Sequence, residues 1–79
     1  LRALTQELCD VIREVTGAET VAPDTHVLHD LGVDSMTYYA ILSAVSEHCG
    51  VPLAMDAARP LFTPRDFAAE GLRERSAQA

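Results

Sequence analysis

LGVDSM, at residues 31–36, marks the point where a long irregular stretch changes into the strongest helical pattern of the chain. Asp34 is suited to cap this helix, because its carboxylate can accept hydrogen bonds from the N–H groups of Met36 and Thr37. The helix then begins at Ser35, whose hydroxyl faces solvent and has no packing role. Since the N–H groups and the helix dipole favour a negative group, a phosphate attached to Ser35 would lie in a favourable electrostatic site.

Three helices are predicted from the spacing of apolar residues. The first covers about residues 3–16, and the glycine that follows ends it. The second covers about residues 35–49 and also ends at a glycine. The third begins after Thr63, which acts as its cap, with Pro64 in the first helical position and Asp66 as the reciprocal acid of a capping box.

The connections between these helices lack a sustained period. Residues 17–34 form a long loop, which four apolar side chains would anchor to the core: Val21, Val27, Leu28 and Leu31. Residues 56–59 offer one short turn, and the last helix is expected to fray beyond Gly71, because glycine is a poor helix former. The predicted fold is a small all-α bundle of three main helices plus one short helical turn, with a long first loop.

The second helix should turn one side towards the core. At about 100° per residue, the inward residues are Tyr38, Ile41, Leu42, Val45 and Cys49. We expect Tyr38 to pack against Leu28 or Leu31 beneath the loop. The outward residues are Met36, Ala40, Ser43 and Glu47, with Tyr39 at the edge. An exposed methionine beside an exposed serine has no packing reason, which favours a contact surface there.

The motif at residues 31–36 resembles that of the acyl carrier protein family, Leu-Gly-x-Asp-Ser-Leu, with Met36 in the last place. LFTP at residues 61–64 is similar to the start of the last helix in carrier domains of modular polyketide synthases. The resemblance covers roughly residues 4–72. It implies that Ser35 bears a covalent 4′-phosphopantetheine arm derived from coenzyme A. It also implies that the arm's thiol holds acyl intermediates of polyketide or fatty-acid biosynthesis.

The resemblance also implies the partners. A phosphopantetheinyl transferase would attach the arm, with Asp34 helping to hold the metal and cofactor, and acyltransferase, ketosynthase or other synthase domains would use it. The carrier itself is expected to have no catalytic activity, because no nucleophile–base pair stands near Ser35 unless His29 folds over it. The family often has a glutamate five residues after the serine, where this chain has alanine, so we expect an apolar docking patch. Its predicted residues are Met36, Tyr39, Ala40 and Ser43.

Two other functions stay open. The chain could be a peptidyl carrier domain of a nonribosomal peptide synthetase, although Val33 and Thr37 favour the polyketide and fatty-acid type. It could also be a helical interaction module that keeps the fold without modification. The mass of the protein after coexpression with a transferase separates this module from both carriers, since a carrier gains one phosphopantetheine.

Composition favours a single small domain over residues 1–79, with 76–79 as a linker or tail. The 79 residues include 12 acidic side chains, six arginines and no lysine, for a formal net charge of −6. This balance disfavours nucleic acid and anionic membranes as partners and favours basic protein surfaces. No apolar run could span a bilayer and no signal peptide is evident, and we expect a cytoplasmic protein. We also expect it to be a monomer. The start at Leu1 rather than Met fits a segment of a longer polypeptide.

The histidines and cysteines have structural explanations. Three neighbouring residues of the loop are candidate metal ligands: His26, His29 and Asp30. No further ligand stands at a matching spacing. We therefore predict solvated loop histidines and no metal site. Cys9 and Cys49 fall on apolar helix faces and are expected to be buried free thiols.

Overall fold

Three helices form the described part of the chain. The computed structural model describes residues 2–53 and 61–78, with α1 at Arg2–Thr16, α2 at Ser35–Cys49 and α3 at Pro64–Gln78. Each helix packs against the other two, and no strand occurs among these residues. The all-α fold is confirmed, while the short turn predicted at residues 56–59 lies outside the described residues.

Helix α2 has the predicted bounds because both of its ends are capped. Asp34 is extended, and its Oδ1 accepts the N–H of Thr37 at 2.8 Å. Met36, the second predicted donor to Asp34, makes no such bond within the described structure. At the other end Gly50 adopts the left-handed conformation (φ 73°), and its N–H donates to the carbonyls of Ser46 and Glu47.

The start of α3 is the predicted capping box with one additional bond. The N–H of Asp66 donates to Thr63 Oγ1 at 3.1 Å, and Asp66 Oδ2 accepts the N–H of Thr63 at 3.1 Å. The same carboxylate oxygen also accepts the N–H of Phe62 at 3.1 Å. Asp66 therefore orients the residues before the helix as well as the helix itself.

The apolar core lies where the three helices meet. All five residues predicted to face inward on α2 are buried, as is the short stretch Phe67–Ala68 of α3. On α1 the buried residues are Thr5, Leu8, Cys9 and Ile12. Cys9 and Cys49 are buried free thiols, as predicted, and burial raises the pKa of each. Neither thiol is a candidate nucleophile under these conditions.

Fewer apolar side chains of the long loop are buried in the core than we predicted. Val21 and Val27 are buried and Leu31 is half-buried, but Leu28 is exposed, which corrects its assignment as an anchor. Val27 and Leu28 lie in a turn, in which the side chain of Val27 enters the core and that of Leu28 faces solvent. Two backbone bonds attach the loop to the region of α3: the N–H of Val27 to the carbonyl of Phe62, and the N–H of Arg65 to that of Pro23.

Helix α3 does not fray beyond Gly71, contrary to our expectation, but continues to Gln78. Gly71 lies against the end of α2, where an added Cβ would stand 2.8 Å from Cys49 Sγ. One turn later Arg75 Nη2 donates to the carbonyl of Cys49 at 2.7 Å. These contacts stabilise a helix segment that propensity alone disfavours, and they make residues 76–78, which we assigned to a tail, helical.

Substitution of Gly71 tests this close approach. Gly71→Ala should lower the free energy of unfolding by about 1 kcal/mol, because the clash with Cys49 outweighs the gain in helix propensity. In a Cys49→Ala background, where Sγ is absent, the same substitution should instead raise stability by about 1 kcal/mol. Urea denaturation of the four proteins measures both values. The same sign in both backgrounds would contradict the contact.

Candidate functional site

Ser35 occupies the first position of α2 and is exposed to solvent. Beside it is a half-open cleft of about 330 Å³ between the long loop and the first turns of α2. The cleft is lined by Leu28, Val33, Asp34, Ser35, Tyr38 and Tyr39. The hydroxyl of Ser35 is thus presented to solvent next to a mostly apolar surface.

The backbone around Ser35 favours a negative group. Within the described residues, the N–H groups of Ser35 and Met36 have no hydrogen-bond acceptor, as expected for the start of a helix. Asp34 caps the helix from the side, and its hydrogen bonds from Thr37 lower the pKa of its carboxyl group. The site therefore combines a capping carboxylate with N–H groups that remain free for an incoming anion.

Tyr38 anchors the inner side of the same helical turn. Its side chain is only 2% exposed, as the helical spacing predicted. Its hydroxyl donates to the carbonyl of Leu61 at 2.6 Å, and its ring centroid lies 6.4 Å from that of Phe67. Burial is the main cause that raises the pKa of Tyr38, followed by the proximity of Tyr39. The predicted packing against the leucines of the loop stays a prediction, and the hydroxyl's acceptor was not foreseen.

His26 has a structural role in the loop, which corrects its description as a solvated histidine. It is half-buried, and its ring stacks on Phe62 with centroids 4.7 Å apart. Its Nδ1 accepts the N–H groups of Leu28 and His29 at 3.2 and 3.1 Å. The ring of His29 is exposed and lies 4.3 Å from that of His26, so it is engaged there and forms no pair with Ser35 in the described structure.

The four residues of the predicted docking patch are exposed on the outward side of α2, and their role in docking stays a prediction. Met36 is 82% exposed and Tyr39 59% exposed, and both Ala40 and Ser43 are also exposed. Leu28, at 36% exposed, is the remaining large apolar side chain on the described surface. Sequence reasoning missed Leu28, because its neighbour Val27 is equally apolar and nothing local indicates which of the two faces inward. Of these side chains, Leu28 and Tyr39 line the cleft beside the serine.

The described residues contain neither a cluster of metal ligands nor a membrane-spanning helix. Among residues 2–53 and 61–78, no three histidine, cysteine or acidic side chains stand close enough together to hold a metal ion. In the same ranges, no helix has the length and apolar character needed to cross a bilayer.

Comparison with known proteins places the site in a family context. Residues 6–70 match the family model described as the phosphopantetheine attachment site. The chain is 29% identical over 52 residues to acyl carrier protein AcpXL of Rhizobium meliloti, covering 63% of this chain and 55% of the relative. It is 26% identical over 58 residues to AcpXL of Rhizobium etli, covering 71% and 63% respectively. The chain thus spans little more than half the length of these curated relatives.

The cap of α2 should make stability depend on pH. Because the pKa of Asp34 is lower in the folded state than its ordinary value of 3.8, its ionised form stabilises the fold above that pH. This contribution is lost as the pH falls through the folded pKa. Asp34→Asn retains a capping side chain without a charge, so the stability difference between wild type and variant should shrink below pH 3.8.

Denaturation with urea across this pH range measures the difference. Ser43→Ala, which changes no titrating group on the same helix, should follow the wild type throughout. A constant difference between wild type and Asp34→Asn would show that the charge of the cap contributes nothing.

Proposed function

Because the chain belongs to the acyl carrier protein family and contains its phosphopantetheine attachment domain, we propose that Ser35 is the residue that carries the 4′-phosphopantetheine. We propose further that the protein presents acyl intermediates to enzymes of polyketide or fatty-acid biosynthesis. The observation that carries the assignment is the exposed hydroxyl of Ser35 at the start of α2, beside the cleft and next to unbonded N–H groups.

The other serines of the described chain are poorer candidates. Ser46 Oγ accepts the N–H of Leu53 at 3.0 Å and is half-buried, so it has a structural role. Ser43 lies in the middle of α2, where the backbone N–H groups are already used within the helix. Ser76 lies near the end of α3, where the helix dipole disfavours a phosphate. Ser35 alone among these four combines exposure with a helix N-terminus.

The residues at the site suit a phosphate ester. The N–H groups of Ser35 and Met36 can donate to phosphate oxygens, and the positive end of the α2 dipole favours the charge. Asp34 accepts hydrogen bonds from the backbone and the side chain of Thr37. Its carboxylate is exposed, and we propose that it also ligates a cation during attachment. The apolar walls contributed by Val33 and Tyr39 offer a surface along which an arm can lie.

The chain bears covalent 4′-phosphopantetheine as a member of this family, and carrier domains of the family generally have no catalytic activity of their own. When bound, the arm supplies a terminal thiol that holds an acyl group as a thioester. The residues of the chain hold the arm, present it and dock the partners: a phosphopantetheinyl transferase first, then acyltransferase, ketosynthase or other synthase domains. We place these partners in the cytoplasm, where the two buried cysteines stay reduced.

We assign partner docking to the apolar patch around the cleft. The patch consists of Met36, Tyr39, Ala40 and Ser43 on α2, and Leu28 of the loop extends it. The loop contributes four exposed acids, Glu19, Asp24, Asp30 and Asp34, of which Asp24 is paired with Arg65 and Asp34 lines the cleft. An exposed ion pair contributes about 0–1 kcal/mol, whereas a buried aromatic anchor contributes about 2 kcal/mol or more. Tyr39 should therefore contribute more to docking than any one of these acids.

The attachment residue is tested by intact-protein mass spectrometry. Incubation with a broad-specificity phosphopantetheinyl transferase and coenzyme A should add one phosphopantetheine to the wild type. Ser35→Ala should stay folded, because the side chain is exposed, and should gain no mass. Ser76→Ala, which alters an exposed serine on α3 outside the patch, should be modified like the wild type. Modification of Ser35→Ala would refute the assignment.

The docking surface is tested by the rate at which a cognate synthase enzyme transfers an acyl group to the modified carrier. Tyr39→Ala should slow transfer by more than about tenfold, because it removes the aromatic anchor. Raising salt from low to physiological concentration should have a much smaller effect, since it screens only exposed charges.

Glu47→Gln serves as the matched control, because Glu47 is the acid on the outer face of α2 and is exposed. It should change the rate little. If salt has the larger effect and Tyr39→Ala has none, docking is electrostatic and the patch has no role in it.

A further inference from the structure

The turn at residues 26–30 is closed by the side chain of His26. Nδ1 accepts the N–H groups of Leu28 and His29, two and three residues later. This is the arrangement that an asparagine or aspartate side chain forms in an Asx-turn. The turn is also closed from its far end, because Asp30 Oδ2 accepts the backbone N–H of His26 at 2.8 Å and the N–H of Asp30 donates to the carbonyl of His26 at 2.7 Å. Nδ1 must carry no proton to act as this acceptor.

The same ring attaches the turn to the segment that leads into α3. It stacks on Phe62 with an interplanar angle of 19°. The carbonyl of Phe62 accepts the N–H of Val27 at 2.8 Å, and its N–H donates to Asp66. His26 therefore has two separable roles: the ring packs on Phe62, and Nδ1 shapes the turn.

The turn determines where Leu28 stands. Nδ1 of His26 bonds the backbone N–H of Leu28, and the N–H of Val33 donates to the carbonyl of Val27 at 3.4 Å, which closes the loop just before Asp34. Leu28 and Val33 then form the loop side of the cleft beside Ser35. No contact joins His26 to Ser35 in the described structure, so an effect of His26 must pass through the loop residues that line the cleft, and of these Leu28 is the one whose N–H bonds to Nδ1.

We propose that His26 is a positioning residue for the modification of Ser35: its Nδ1 holds the turn that places Leu28 at the mouth of the cleft, where the transferase must dock. This inference rests on the proposed function. A purely structural histidine would need only the ring on Phe62, whereas the proposed role needs the acceptor atom. The two requirements can be separated by substitution.

The test compares His26→Asn, which retains an acceptor able to close the turn, with His26→Phe, which retains the stacking ring and lacks the acceptor. Initial rates of phosphopantetheine attachment are measured by mass spectrometry over a range of carrier concentrations. His26→Phe should raise the KM for the carrier by about tenfold with little change in kcat, the scale on which loss of a pair of hydrogen bonds shifts a local equilibrium. His26→Asn should retain most of the wild-type kcat/KM.

Leu28→Ala provides the second arm of the experiment. It should raise KM by a similar factor, and it should add little to His26→Phe, because both changes act through the same side chain. Circular dichroism and urea denaturation establish that each variant is folded. Amide hydrogen exchange at Leu28 and His29 should accelerate in His26→Phe and not in His26→Asn.

The results of this experiment separate the positioning role of His26 from the proposed function of the chain. If the Phe and Asn variants raise KM equally, or if the effects of His26→Phe and Leu28→Ala add in full, His26 has no positioning role. If the wild type itself gains no phosphopantetheine, the proposed function fails and the positioning role fails with it. Modification of the wild type with the predicted split between variants supports both.

Discussion

The hydroxyl of Tyr38 donates to the carbonyl of Leu61 inside the bundle, and this bond joins the first turn of α2, where Ser35 is exposed, to the segment before α3. Tyr38 and Ser35 are neighbours on the first turn of α2, since residues three apart lie on the same side of a helix, and both line the cleft. The side chain of Tyr38 is buried, whereas that of Ser35 is exposed. A buried carbonyl without a donor costs about 1–3 kcal/mol. The pairing therefore favours a single rotational setting of α2. In that setting the serine is exposed.

The remaining contacts hold α2 in this setting from its other end and from the loop. Gly71 permits α3 to approach Cys49, and Arg75 bonds the Cys49 carbonyl. On the loop side, Phe62 receives the ring of His26 and the backbone of Val27. Both sets of contacts engage α3 or the residues just before it. Helix α3 thus supports α2, the helix that begins at the proposed attachment residue.

Although the protein has a net charge of −6, the docking surface that we propose is apolar. Met36 and Tyr39 stand on α2, and Leu28 stands across the cleft on the loop. The acids of the long loop are also exposed. Exposed charges steer an approaching partner and are screened by salt, whereas apolar side chains contribute when they are desolvated in the complex. The two kinds of residue would therefore act at different stages of docking.

The sequence by itself determined the three helices, the caps of α2 and α3, the inward face of α2 and the candidate attachment serine. These features depend on contacts within a few residues, such as the bond from Thr37 to Asp34 and the reciprocal bonds of Thr63 and Asp66. Helical periodicity is also local, since it follows from the geometry of one element. Resemblance to a carrier motif then indicated the function of the serine.

Only the tertiary structure decided the outward position of Leu28, the role of His26, the acceptor of the Tyr38 hydroxyl and the continuation of α3 beyond Gly71. Each of the last three depends on a residue of another element: Phe62, Leu61 or Cys49. How closely two helices approach is set by the side chains of both, and a glycine that weakens a helix alone can be required where helices touch. The local sequence pattern does not indicate which residues will pair in this way, because the partners meet only once the chain has folded.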